Sequence, residues 1–573
     1  MRIAYLAGLM GCMFWFWEGA VGDARQARAA DTPKLVVVLS VDQLSYDYLE
    51  RFSQHFADRG FFRRVARDGA WYTQCHHRHA FTLTGPGHSV IMTGTYPYRT
   101  GIIDNEWYDR DKRGQQYCVE DAQSPIVGVP SERAEVKGVS PRNLQVSTVG
   151  DSLREATANR GKVFGLTIKD RAAVLMAGKH PTGAYWFDSK SGMWVTSTYY
   201  RRDLPEWLKQ INHSDLVECF AGSSWRLLYD PERYHKSAPD DNPFEGTADG
   251  NLDRSFPHAL SHESDSRYMK QLFVSPFGNE LTMRVVRQLI EGEELGSDEV
   301  PDILTIGLSC NDFVGYNFGP HSLEVEDMTY RTDLLIGEFL ESLDQRIGAG
   351  KWTLFLTADH GVTPIPEYTA LQGVPAKRNP MGQLSQLATQ IETQLTRRFG
   401  APRNNALYLE TLNANQLFLE RRSLPDEQEK KREIREFVRD LLLKTGVFPV
   451  AYTRDELESG STRIQLDERY SGFIATGSAI FQMMQRTYHR DRSGDVLYVL
   501  QPYHIQTSTP ATHGSPWKPD THVPLLAIGC GIRPGRFDRP TSPAAIASTV
   551  ARLLTIKPPA TNEESPLQEA LAE

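Results

Sequence analysis

The sequence predicts an α/β protein built on a mostly parallel central sheet sandwiched by helices, with two cap-like insertions. Three observations carry this reading. Short, continuous apolar runs recur along the chain, amphipathic stretches separate them, and four of the runs end in side chains capable of acid, base or ligand chemistry.

Residues 35–40 run into Asp42, 162–167 into Lys169, 303–308 into Asp312, and 352–357 into Asp359 and His360; 523–528 form a fifth run. Unbroken apolar runs suit strands covered on both faces, as in a parallel sheet between helical layers. In such sheets functional groups collect at the carboxyl ends of the strands. Four coincidences of that kind point to one site assembled across the sheet.

Helical periodicity is clearest over residues 52–68, 144–159, 280–291, 328–347 and 426–444. The last carries its charges on one face and Ile434, Phe437, Val438, Leu441 and Leu442 on the other, the pattern of a solvated amphipathic helix. Residues 185–277, rich in Tyr, Trp, Asp and Pro, and residues 364–509 lack the alternating rhythm. Both read as insertions that cover the site or shape its mouth, within one catalytic domain spanning 31–573.

The chain of 573 residues is 40% apolar and 24% charged, ordinary for a globular protein. A net charge of −9 gives no electrostatic basis for binding nucleic acid. Residues 1–30 are set apart: Arg2, an apolar run to Trp17, then small residues ending in Ala27-Arg28-Ala29. This reads as a secretory signal peptide, too short for a membrane span, with an uncleaved anchor as the alternative. The expected product is exported, periplasmic or secreted, with no membrane span once mature. Beyond Cys12, five cysteines remain (Cys75, Cys118, Cys219, Cys310, Cys530), with no C-x-x-C pair. Cys75 and Cys118 flank the first motif and are the candidate disulfide; any metal is expected on His and carboxylate.

In Thr82-Leu83-Thr84-Gly85-Pro86-Gly87-His88, small residues before an apolar helix place the Thr84 hydroxyl at a helix N-terminus, where backbone N–H groups favour anions. Alone the segment also fits a cap and a turn. A hydroxyl needs a base or a metal to become a nucleophile. Asp42, Asp312, Asp359, His360 and His513 are ligands suited to Zn²⁺.

Asp42, T-G-P-G-H from Thr84, Asn105, Lys169 with Arg171, the Asp312 segment, Asp359-His360 and Thr512-His513-Gly514 follow one another in an order that resembles the threonine-type bacterial alkaline phosphatases (the PafA/PhoK-like group of the alkaline phosphatase superfamily). The resemblance spans about Leu35 to Gly531. It implies an alkaline phosphatase-like fold and two zinc ions. Asp42, Thr84, Asp359 and His360 would hold one ion; Asp312 and His513 would contribute to the other. It further implies that Asn105, Lys169 and Arg171 contact phosphoryl oxygens, the last two from one side of an extended segment. A Lys-x-Arg pair complements the charge of a monoester dianion and is lacking in the related phosphodiesterases.

One position departs from the pattern. The family segment reads Asp-x-x-x-His, and here Tyr316 stands in the histidine's place. Three outcomes stand open: Tyr316 ligates through its oxygen, His321 substitutes, or the second site binds metal weakly. In the last case activity survives on activated aryl esters and falls on alkyl esters. Tyr316 as packing and His321 as a loop residue is the structural alternative. His76, His77 and His79 fit no trusted ligand spacing and are read as surface or structural. His88 is expected to pack at the helix start, and His522 to orient the His513 loop.

The expected activity is zinc-dependent hydrolysis of small phosphate monoesters through a phosphothreonine at Thr84. Its rivals are a phosphodiesterase or nucleotide pyrophosphatase on the same scaffold, and an exported binding protein impaired by Tyr316. The sequence sets neither the physiological substrate nor the oligomeric state.

Overall fold

The structure, a computed structural model, describes residues 32–129, 138–246, 252–263, 265–380, 382–403 and 406–572. The leader over residues 1–30 lies outside them. Among the described residues no helix is long and apolar enough to cross a membrane.

The apolar runs become a ten-stranded sheet. In chain order its strands are Leu35–Val41 (β1), Ala70–Tyr72 (β2), Ile126–Val127 (β3), Val163–Thr167 (β4), Gly183–Asp188 (β5), Met193–Ser197 (β6), Asp302–Leu308 (β7), Trp352–Thr357 (β8), Leu525–Gly529 (β9) and Gly535–Phe537 (β10). Across the sheet the order is β10-β2-β9-β8-β1-β7-β4-β5-β6-β3. The middle, β8-β1-β7-β4-β5, is parallel throughout. Every residue of β1 is buried, and it is central because six of its seven side chains are Val or Leu. Each such side chain contributes roughly 1.5–3 kcal/mol on burial, so Val37→Asp at its centre would break the sheet.

Register places the chemistry. Ser40 of β1 pairs with Thr357 of β8 and Val41 with Leu308 of β7, so the next residues of all three strands leave the sheet side by side. The fifth run differs. β9 is antiparallel to β8, pairing Leu356 with Leu526 and Thr353 with Gly529. The end of β9 near the site is therefore its start, and its ligand, His513, lies upstream of the strand rather than after it.

Four helices position the site: Thr84–Thr93 (α1), Asp170–Ala177 (α2), Cys310–Phe318 (α3) and Leu323–Leu343 (α4). Ser322 caps α4 by accepting from the Val325 N–H at 3.1 Å. The periodicity over 52–68 resolves into a short 3-10 turn, Ser53–His55, and a helix, Phe61–Asp68, because Gly60 sits extended between them.

Residues 185–277 begin inside the sheet, as the rest of β5 and all of β6. Trp225, Tyr234 and His258 from beyond β6 pack on α4 through acids wholly buried along that helix. Glu324 faces His258 at 3.0 Å, and Asp327 accepts from Trp225 Nε1 at 2.6 Å and the Tyr234 hydroxyl at 2.6 Å. Residues 364–509 contain a separate four-stranded sheet, Leu409–Leu412, Gln416–Leu419, Val496–Val499 and Val450–Thr453 in spatial order. It has its own core with Ile391, Leu395, Val438 and Leu442 from the helices Gln383–Phe399 and Gln428–Lys444.

Candidate active site

Thr84 opens α1 behind an extended Leu83 and is 1% exposed. Small residues follow because the helix start is pressed against the end of β8. A Cβ on Gly87 would lie 2.1 Å from the Asp359 carbonyl oxygen. The Gly85 N–H donates to Asn105 Oδ1 at 2.6 Å, which commits the acceptor side of that amide and leaves its NH₂ side as a donor. Arg171 Nη2 lies 3.4 Å from Thr84 Oγ1.

Lys169 and Arg171 reach the site differently from the sequence expectation. They do not share an extended segment: Lys169, itself extended, is the N-cap of α2 and Arg171 lies in its first turn. An apolar strand followed by Asp170 and an alanine-rich run turns straight into a helix, so both cations are delivered from a helix start rather than by strand alternation. Lys169 Nζ donates to Asp42 Oδ2 at 2.6 Å and Asp312 Oδ2 at 2.5 Å. Burial alone favours the neutral amine, but these two carboxylates outweigh it and raise Lys169's pKa. Tyr117 and Asp170 hold Arg171, the phenol donating to Asp170 Oδ1 at 2.5 Å with Arg171 Nη1 3.4 Å from its oxygen.

Two side-chain groups can hold a metal among the described residues: Asp42 with Asp359 and His360, and Asp312 with His360 and His513. The first passes a direct chemical test. His360 Nδ1 is committed to the Gly361 carbonyl at 2.9 Å, so Nε2 presents a lone pair. That nitrogen lies 3.4 Å from Asp42 Oδ1 and 3.3 Å from Asp359 Oδ2, and none of the three atoms has a hydrogen-bond partner. Three buried acceptors facing one another, none with a hydrogen-bond partner, fit a cation. Their protonation follows. Burial pushes Asp359 well up, reinforced by the Asp42 charge. Burial acts the same way on Asp42, but Lys169 and His360 overcome it and hold that carboxyl below the usual range.

In the second group, His513 Nδ1 is fixed by the Thr82 carbonyl at 2.9 Å, and its ring stacks on His360 at 3.5 Å. Tyr316 is one helical turn beyond Asp312, its ring centroid 6.4 Å from that of His513. His321 is in neither group. It packs against Tyr368 at 5.3 Å and lines a separate cavity of about 380 Å³ with Tyr46, Arg51, Lys518 and His522.

Other expectations are corrected. No disulfide joins the described cysteines, so Cys75 and Cys118 are not linked: the Cys75 main chain pairs with that of Thr541, while Cys118 lies beneath the start of α1. His522 does not orient the His513 loop. It stacks between Tyr46 and His76 and bonds the Thr73 carbonyl at 2.9 Å. Asp520 holds that loop instead, accepting from Ser515 N at 2.9 Å and Thr363 Oγ1 at 2.7 Å. Of the two roles expected for His76, His77 and His79, surface or structural, their burial fits the structural one. His88 does more than pack: its Nδ1 donates to the Thr84 carbonyl at 2.8 Å and lies 3.2 Å from Asp359 Oδ2, linking Thr84 to the first group. Sequence reasoning missed Gln43 altogether, although it is adjacent to Asp42 and faces both ligand groups.

Comparisons with known proteins find matches over most of the chain. A family model, type I phosphodiesterase / nucleotide pyrophosphatase, matches residues 36–502. The chain is 32% identical over 560 residues to alkaline phosphatase PafA of Elizabethkingia meningoseptica, covering 97% of each chain. It is 34% identical over 530 residues to alkaline phosphatase PhoV of Synechococcus elongatus, covering 92% of this chain and 91% of that one. The crystal structure of wild-type PafA superposes with a TM-score of 0.84 at 31% identity, over 95% of this chain and 100% of that one.

Proposed function

Because the chain belongs to the type I phosphodiesterase / nucleotide pyrophosphatase family, we propose that it hydrolyses phosphate monoesters with Thr84 as covalent nucleophile and two zinc ions as cofactors. Its likeness to alkaline phosphatases over nearly its whole length makes it a phosphoric monoester hydrolase of that type. The observation that carries the finer reading is a set of facing lone pairs joined through His88 to Thr84, whose buried hydroxyl lies 3.4 Å from Arg171 Nη2.

Asp42, Thr84, Asp359 and His360 would hold one zinc, and Asp312, His513 and Tyr316 the other. When bound, the ions supply Lewis acidity, lowering the pKa of the threonine hydroxyl and offsetting charge on the departing oxygen. The chain's own groups do the rest. Thr84 Oγ1 forms a bond to phosphorus as the bond from phosphorus to the ester oxygen breaks, giving a phosphothreonine. Water then cleaves it, releasing phosphate and restoring the hydroxyl. The N-terminus of α1, the Asn105 NH₂ and the Arg171 guanidinium donate to phosphoryl oxygens, positions at which negative charge is favoured. Lys169, kept charged by Asp42 and Asp312, adds positive potential to the same spot. The leader over residues 1–30 supports action outside the cytoplasm, on small phosphate esters.

The test is bound zinc by elemental analysis together with turnover of p-nitrophenyl phosphate and bis-p-nitrophenyl phosphate, before and after Thr84→Ala. About two zinc per chain, Thr84-dependent turnover and preference for the monoester are expected. Preference for the diester would move the chain to the diesterase reading. One zinc or none with little turnover would make Tyr316 a disabling substitution.

A further inference from the structure

Gln43 touches both ligand groups, as Lys169 does, but with its main chain on one and its side chain on the other. It follows Asp42 at the exit of β1 with a positive φ of 65°, a conformation that turns its backbone N–H toward β8 and its side chain toward α3. The N–H donates to Asp359 Oδ1 at 3.2 Å and the side-chain Nε2 donates to Asp312 Oδ1 at 2.5 Å. Asp359 therefore has one oxygen, Oδ1, already taken, and Asp312 has both, Oδ1 by Gln43 and Oδ2 by Lys169. In Asp359 the other, Oδ2, is the unpartnered atom that faces Asp42 and His360.

The amide is itself constrained. A Cβ on Gly315 would lie 2.0 Å from Gln43 Oε1, so α3 carries no side chain where it passes over the carboxamide. The residue is 1% exposed, in contact with the ligands on one side and with α3 on the other.

We infer that Gln43 is a positioning residue that fixes the orientation of Asp312 and Asp359 together, and so sets how tightly the second cation is held. The inference rests on the dizinc reading above. A hydrogen-bonded partner behind a ligand holds its geometry, and losing such partners typically costs about 10–100-fold in metal affinity or activity. The dependence is greatest at the second group, where Asp312 hangs on a helix and Tyr316 replaces a stronger ligand. Asp359, by contrast, keeps its own bond from the His360 N–H at 3.1 Å.

The experiment is stepwise zinc release against graded chelator, read as equivalents bound per chain, for the wild-type enzyme and for Gln43→Leu, Gln43→Asn and Gly315→Ala. Two release steps in the wild type establish the dizinc premise independently of any variant. In Gln43→Leu the weaker step is expected to shift by about 10–100-fold and the tighter step by less than about 3-fold, with kcat falling and KM nearly unchanged. Gly315→Ala, which leaves Gln43 in place and only displaces its amide, is expected to move the same step in the same direction. Equal shifts in both steps, or none in either variant, would overturn the inference. If Gln43→Leu fails to fold, Gly315→Ala and Gln43→Asn carry the same reading alone.

Discussion

The two ligand groups are built from different materials. Asp42, Asp359 and His360 follow directly from the ends of two paired parallel strands, are 0–1% exposed, and meet without a single donor among their facing atoms. Asp312 and His513 come from the first turn of a helix and from a loop upstream of an antiparallel strand, and Asp312 already shares its oxygens with Gln43 and Lys169. The first group is held by the sheet, whose strands are over-determined by packing on both faces. The second is held by side-chain hydrogen bonds, each worth about 1 kcal/mol net or somewhat more when charged. Rigidity therefore differs across a few ångströms, and only His360 belongs to both sides.

Several measurements would break or sharpen that contrast. The largest effect is expected from Thr84→Ala, which should reduce turnover of p-nitrophenyl phosphate by on the order of 10⁴-fold or more while leaving the fold intact. His360→Ala should remove both metal equivalents, whereas His513→Ala should remove one; equal losses would show that the groups are not separable. Arg171→Met should lower monoester turnover by about 10²–10³-fold and diester turnover by much less, so the ratio between the two substrates should fall. Tyr316→His should strengthen the second group alone, raising turnover of alkyl phosphates several-fold with little change for aryl esters. An unchanged alkyl-to-aryl ratio would remove Tyr316 from the account.

The smallest effect concerns support beneath the first group. His77 is buried, its Nε2 bonds the Ala358 carbonyl at 2.9 Å, and burial pushes its pKa down from 6.5 to about 4. The unfolded chain therefore binds a proton that the folded chain refuses. Stability from this residue is complete above pH 6.5 and is lost as pH falls toward 4, by up to about 3 kcal/mol. His77→Gln should flatten the dependence of Tm on pH between those values; a parallel profile would mean that other buried histidines carry the acid lability.

This contrast also explains what could be read from the residues. Runs ending in Asp42 and in Asp359-His360 announce themselves because a strand buried on both faces is apolar throughout, and the first polar residue marks its exit. Asp312 is visible for the same reason, one helical turn of delay included. Lys169 and Arg171 are visible as a pair but not as a helix start, because Asp170 and the alanines that make α2 also suit a loop. His522 looked like a partner of the His513 loop through proximity in sequence, yet Asp520 holds it, since a buried carboxylate accepts from Ser515 and Thr363 at once. Gln43 leaves no trace. Its role comes from a positive φ and a glycine 272 positions later, and neither alters the pattern of the string.

Gly87 carries a consequence of its own. With no room for a Cβ between α1 and the Asp359 carbonyl, the nucleophile's helix and the ligand strand touch backbone to backbone. The separation of the two main chains that carry the hydroxyl and the first ligand group is then fixed by that contact, independent of whatever the insertions do at the mouth. Such a joint lets substrate preference drift through the outer segments while the reaction distance stays where the sheet put it.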